Sequence, residues 1–432
     1  MRPTVVSAGL PGVTAPGPGG HETQSRRRDR RTQEGSAVHV YLDHAATTPL
    51  RPEARDAWLR ATADVGNASS IHGYGQSARR VLEESRERLA AVLGCDPIEV
   101  VFTSGGTEAV NLAVKGLWWA RDAATDAIVL PDGEHHATLD AIEWLRTAEG
   151  AVLRHVPLDP RGAIEPARFA ESLAGAAFAT ALAANNEVGT VNDARGLAAA
   201  AAAAGIALHV DAVAALGHVP VSFRGWRADA AGHVGLCAMS VSAHKVGGPA
   251  GVGALVVSRH ARLAPLVHGG GQQRGLRAGT QDVAGAAAFA VAAELAESER
   301  EGEARRLTDL RRKLVLGILS SVPEAELLGD PEDRIPGNAH VLFPGAAGET
   351  LLFLLDQAGI AVSTGSACQA GIPEPSHVVQ ALGRSDAEAR QVLRFTLGRT
   401  SVDDDVARVL DALPGVVERA RAASGSSSGG HS

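Results

Sequence analysis

Apolar positions along this chain fall into short runs separated by alanine-rich stretches. Seven such runs stand out: Ile98–Thr103, Ala127–Pro131, Ala151–Pro157, Phe178–Ala184, Ile206–Val210, Met239–Val241 and Val252–Val257. Runs of four to eight apolar residues alternating with helical stretches predict an α/β domain built on a mostly parallel sheet. In such sheets ligands sit at the carboxyl ends of the strands, so polar residues that directly follow the runs are the first candidates for chemistry. From about Ala290 the pattern changes to a long charged helix (Glu294 to Leu319), followed by shorter strands and helices that end near Ala422. This second part reads as a smaller α+β domain, and no internal repeat is present.

The two ends lack this patterning. Residues 1–37 are rich in Pro, Gly, Ser and Arg, with six arginines against three acids, and are expected to be a disordered extension. A transit peptide would need an amphipathic pattern and a secretory signal would need an apolar core, and the stretch has neither. Residues 423–432 read as a flexible Ser/Gly tail. The 432 residues carry a net charge of −8 and 45% hydrophobic residues, and no apolar run is long enough to cross a bilayer. An acidic balance gives no support to nucleic acid as a primary ligand, which leaves small molecules and protein partners.

Two residue types are scarce enough to be informative. The three cysteines, Cys95, Cys237 and Cys368, form no CxxC pair, so neither a disulfide framework nor a metal site is indicated and a reducing cytoplasm fits. Cys368 lies in a Gly/Ser-rich stretch, the setting of a candidate nucleophile. Only three lysines occur, and one of them, Lys245, follows an apolar run in Ser242-Ala243-His244-Lys245-Val246-Gly247-Gly248. A lysine amine can lose its proton and condense with a carbonyl, which arginine cannot do. A surface lysine beside a turn is the other reading of this position.

Four further groups follow strand-like runs. Thr103-Ser104-Gly105-Gly106-Thr107-Glu108 can cradle a phosphate with backbone amides and a hydroxyl at a helix start, or be an ordinary strand-to-helix loop. Asp211, at the end of His209-Val210-Asp211, can hold a pyridinium nitrogen protonated or cap a helix. Glu134-His135-His136 offers a histidine for stacking or proton transfer, and Asn185-Asn186-Glu187 offers an amide for a carboxylate or ring oxygen. Turn chemistry accounts equally well for both.

Taken together the segments resemble fold-type I pyridoxal-phosphate (PLP) enzymes, specifically the class V aminotransferase superfamily and its cysteine desulfurases of the NifS/IscS type. The resemblance runs from Tyr41 to about Ala422. It rests on Tyr41-Leu42-Asp43-His44-Ala45-Ala46-Thr47-Thr48-Pro49, the Gly66 to His72 segment, the groups above, Gly269 to Thr280, Ser363-Thr364-Gly365-Ser366-Ala367-Cys368 and Leu393-Arg394-Phe395-Thr396-Leu397-Gly398-Arg399. It implies a large PLP-binding domain (52–290) with a seven-stranded, mostly parallel sheet between helices. A small α+β domain (291–422) would carry the Cys368 loop, and residues 38–51 would join it.

The resemblance further implies that Lys245 forms the imine with PLP, Asp211 partners the pyridine nitrogen and His135 stacks on the ring. Thr107, Ser242 and His244 would bind the phosphate. Thr280 would reach the phosphate of a neighbouring subunit, making the protein a homodimer. Asn186 and Arg394 would hold the carboxylate of L-cysteine, with guanidinium geometry suited to a two-point grip. Cys368 would take the sulfur as a persulfide, leaving L-alanine, on a loop able to visit both the cofactor and a sulfur-acceptor protein for iron–sulfur clusters or tRNA thiolation. A thiol in this position argues against the sister aminotransferases, while a selenocysteine lyase or a weakened paralogue acting as a binding partner are the other members to weigh.

Two features depart from the family pattern. Ala214 stands where the family usually has a Gln that donates to the cofactor's phenolic oxygen. The stretch between Asp211 and Lys245 is also longer than expected, with the surplus assigned to Ala231–Ala238, either as an external bulge or as a displacement of the strand that delivers Lys245.

Overall fold

The computed structural model describes residues 39–365 and 374–427. A short strand β1 (Val40–Tyr41) precedes the seven runs, which become β2 (Val100–Thr103), β3 (Ala127–Pro131), β4 (Val152–Val156), β5 (Phe178–Leu182), β6 (Ala207–Asp211), β7 (Gly235–Ser242) and β8 (Gly253–Val257). They form one sheet in the order β2-β8-β7-β6-β5-β3-β4. Strand β8 runs antiparallel to β2 and β7, and the other pairings are parallel. Helices cover both faces of such a sheet, which is why its strands read as continuous apolar runs rather than alternating ones. Every residue of β2, β3, β5, β7 and β8 is buried. At the edge, β4 carries Arg154 and His155 and is largely solvent-facing, as an edge strand that must avoid further pairing should be.

A second core lies around an antiparallel sheet of β9 (Glu326–Leu328), β10 (Asn338–Leu342) and β12 (Val392–Thr396), in the order β12-β10-β9. Strand β11 (Ile360–Ala361) pairs in parallel with β1, so Val40 and Leu42 belong to this core. One helix, Val283–Ser321, serves both cores. Its alanine-rich first half, including Ala288, Ala292 and Ala293, packs into the large core, where small side chains allow close helix approach. Its second half places Leu307, Leu310, Leu314 and Ile318 in the other core.

Residues 228–234 form an exposed turn at the amino edge of β7, and Cys237 is an extra residue within the strand: Leu208 pairs with Leu236, while His209 pairs with Ala238. The segment expected to be inserted therefore overlaps the strand itself, and only its first half is external. Arg227 ties the turn down, with Nη2 donating to Gly232 O at 2.7 Å and Nη1 to the carbonyls of Val234 (3.2 Å) and Leu236.

Arg227→Ala is expected to lower stability by about 1–3 kcal/mol, because the turn loses charged donors to three carbonyls. A shift in the denaturation midpoint with cofactor binding retained would check this; unchanged stability would show that the clamp is dispensable.

Candidate active site

The carboxyl ends of β2, β3, β5, β6 and β7 open onto a cavity of about 440 Å³, which side chains of the second core close from the other side. Of the residues singled out in the sequence, Thr107, His135, Asn186, Asp211, Ser242, His244, Lys245 and Arg394 all line it. Thr280 is exposed and does not, and Cys368 lies outside the described residues, although Ser363 and Gly365, which precede it in the chain, are in the lining.

One end of the cavity is rich in hydrogen-bond donors. The turn after β2 leads into the helix Gly106–Trp119, whose amino terminus faces the cavity through Gly106 and Thr107 and favours an anion. Strand β8 passes so close to this turn that a Cβ on Gly253 would stand 2.6 Å from the carbonyl carbon of Gly105. Glu108 holds the turn from outside, accepting from Ser104 N–H at 2.8 Å and pairing with Arg277 at 2.8 Å. Ser242, the last residue of β7, has a buried Oγ without a hydrogen-bond partner among the described residues. His244 Nδ1 lies 3.3 Å from Thr47 Oγ1, and burial together with the nearby Lys245 charge lowers its pKa to about 4.

Across the floor, Asp211 Oδ1 accepts from Val213 N–H at 2.9 Å and from Ser240 Oγ–H at 3.1 Å. Burial raises this carboxyl to about 6 against the pull of those two donors and of Lys245. His135 caps the helix His136–Glu149 by accepting from Ala137 N–H at 3.0 Å through Nδ1. Burial, then the Lys245 charge, brings its pKa down to about 4, so it presents a neutral ring. The ring thus makes a local cap bond and lines the cavity at once. The Asn pair divides the same way: Asn185 builds the turn by accepting from Glu187 and Val188 N–H, and Asn186 faces the cavity.

Lys245 sits in the single turn after β7 and donates to the carbonyls of Ala45 and, at 2.9 Å, Ala46. Burial and the Arg394 charge lower its amine to about 8, partly offset by Asp43 and Asp211. The other two lysines are engaged elsewhere, Lys115 over the Trp144 ring at 4.7 Å and Lys313 with Asp403. Arg394 enters from β12; Nη1 donates to Asn186 O at 2.8 Å, Nη2 pairs with Asp43 at 3.0 Å, and its buried Nε has no partner among the described residues.

Sequence reasoning gave no role to His44, His218 or Asn338, which also line the cavity. His44 was visible within the Tyr41–Pro49 segment, and its reason is steric: a Cβ at Gly398 would stand 2.2 Å from His44 Nδ1, so these two motifs need one another. Ala214 faces the cavity with a methyl group only.

Residues 40–409 match the family model described as aminotransferase class-V. The chain is 46% identical over 391 residues to an IscS-like cysteine desulfurase of Mycobacterium tuberculosis, covering 89% of this chain and 98% of that one. Among solved structures, a NifS-like protein superposes with a TM-score of 0.81 at 31% identity, covering 88% of this chain and all of the other (100%). SspA in complex with cysteine gives a TM-score of 0.71 at 28% identity over 84% of this chain and 99% of that one. The strand-end cavity, its lysine and this likeness over most of the length lead to one assignment: the chain belongs to the class V aminotransferase family, a PLP-dependent family, and is a cysteine desulfurase of the IscS-like kind.

Proposed function

We propose that the desulfurase works on L-cysteine with PLP held at the strand ends, and that Cys368 receives the sulfur. The observation that carries this reading is the convergence of Lys245, Asp211, His135 and a donor-rich anion site on one cavity. The residues fit the cofactor. Ser242 Oγ is a buried hydroxyl with no partner among the described residues, beside a helix terminus, where a phosphate oxygen would complete it. In this reading Thr107, Ser242 and His244 hold the phosphate, Asp211 the pyridine nitrogen and His135 one ring face.

When bound, PLP supplies an electron sink for charge developing at the substrate α-carbon. Lys245 Nζ, with its basicity lowered by burial, takes and returns the α-proton. Arg394 and Asn186 hold the substrate carboxylate; Asp43 already fixes one edge of the guanidinium, leaving the buried Nε without a competing partner among the described residues. The Cys368 thiolate attacks the substrate sulfur. A sulfur–sulfur bond forms as the carbon–sulfur bond breaks, the electron pair stays with carbon, and protonation yields L-alanine.

Several finer points complete the proposal. Thr280, exposed in the single chain, contacts the phosphate bound by a second copy in a homodimer, and 52–290 and 291–422 act as large and small domains. The persulfide passes to a protein acceptor serving iron–sulfur cluster assembly or tRNA thiolation in the cytoplasm. No helix among the described residues is long and apolar enough to cross a membrane.

The PLP-loaded protein is expected to release L-alanine and, under reductant, sulfide from L-cysteine. Cys368→Ser should cut sulfide release by about 100-fold or more while leaving the cofactor band between about 390 and 420 nm in place. Unchanged turnover would remove Cys368 from the mechanism.

A second outcome follows from the depressed amine. Only the unprotonated Lys245 can capture the aldehyde, so cofactor uptake by the cofactor-free protein should rise with pH and reach half its maximum near 8 rather than near the ordinary lysine value of 10.5. Stopped-flow absorbance across pH 6–10 (roughly the span in which such a lowered amine titrates) measures this, and Lys245→Ala should abolish uptake.

A further inference from the structure

Behind Asp211, on the same face of the sheet, three polar side chains with no solvent exposure form a continuous chain across neighbouring strands. Thr180 Oγ1 on β5 lies 3.0 Å from His209 Nδ1 on β6, His209 Nε2 lies 3.1 Å from Ser240 Oγ on β7, and Ser240 Oγ reaches Asp211 Oδ1 at 3.1 Å. None of them lines the cavity, and neither the anion site nor the lysine uses them.

Resting on the proposed cofactor site, we infer that Thr180, His209 and Ser240 are positioning residues: a one-directional hydrogen-bond relay that holds Asp211 ionised and aimed at the pyridine nitrogen. The donor inventory sets the direction. An ionised carboxylate only accepts, so the single Ser240 proton goes to Asp211. Ser240 Oγ must then accept from His209 Nε2–H. With its one proton on Nε2, a neutral imidazole must accept at Nδ1, and Thr180 is the donor that faces it. Burial drives the His209 pKa down to about 3, which keeps the ring neutral and limits it to that single N–H. A second buried carboxyl, Glu134, accepts from Leu182 N–H at 2.8 Å beside Asp211. Burial and the Asp211 charge raise it to about 8, so it stays protonated and adds no competing charge at neutral pH.

The register of β7 is built for this chain. Continued from the Leu208–Leu236 pair without the Cys237 bulge, the register would set Met239 beside Asp211; with the bulge, Ser240 is there and the small Ala238 stands next to the imidazole. The relay and the bulge are thus one feature.

Thr180→Val tests the relay, because it is nearly isosteric, is remote from the cavity and removes only the first donor. Nδ1 of His209 would then lack its donor, and the preference for the Nε2–H tautomer that directs the Ser240 proton to Asp211 would weaken. Cofactor affinity, titrated by absorbance, is expected to fall about tenfold, as for one charge-assisted hydrogen bond. The ¹⁵N signal of cofactor labelled at the pyridine nitrogen should move toward its unprotonated position, and kcat should drop more than KM rises. Thr180→Ser should restore all three, and Ser240→Ala should reproduce the loss, which keeps the test intact if the valine variant folds poorly. Wild-type affinity and ¹⁵N shift in both Thr180→Val and Ser240→Ala would overturn the relay alone. A wild-type protein that shows no cofactor band would overturn the cofactor reading and the relay with it.

Discussion

The lateral register of β6 against β7 is the constraint on which the site rests. Asp211 closes β6 and Ser240 lies opposite it, two residues before Ser242 and shortly before Lys245. Because side chains alternate along a strand, a slip of one residue would turn Ser240 away from Asp211 and Ser242 away from the cavity, and carry Lys245 with them. That register is fixed from both sides, by the antiparallel pairing of β7 with β8 and by the bulge at Cys237. Burial of the whole β7 strand makes any other alignment costly, since it would place polar side chains among apolar neighbours without partners.

Low polarity around the cavity does chemical work as well as structural work. His44, His135, His218 and His244 are all held well below the usual histidine range, chiefly by burial, so the pocket gathers four imidazoles without gathering four charges. The amine of Lys245 is depressed and the carboxyl of Asp211 raised by the same burial. Their opposite charges partly restore one another, and the guanidinium of Arg394, balanced by Asp43, is the other strong charge in the pocket. The carboxylate of a small amino acid entering such a pocket meets the guanidinium at one end, with the Lys245 amine at the other.

Much of this was legible in the chain. Seven apolar runs mark seven strands, and the groups that follow them converge because carboxyl ends of parallel strands share one edge of the sheet. The Asn185–Asn186 and His135 ambiguities were real, since His135 caps a helix while lining the cavity, and the pair divides between Asn185 in the turn and Asn186 in the lining. Less visible were features that depend on pairing between distant segments. A bulge leaves no local signature, so the extra residue Cys237 does not show in the sequence. The packing of His44 against Gly398 joins two ends of the chain that sequence spacing cannot connect. His209 read as one more residue in an apolar strand, because its value lies in neighbours on β5 and β7.

The exposed turn at 228–234 is separated from the chemistry by the full length of β7, and Arg227 fastens it by its own carbonyls. The sheet therefore has one margin where the site fixes the course of the chain and an opposite margin that carries an exposed turn. Exposed loop tips of that kind are where insertions are best accepted. For anyone wishing to attach a reporter, an affinity handle or a surface tether to this enzyme, the turn offers an internal port that leaves both chain ends and the cavity untouched.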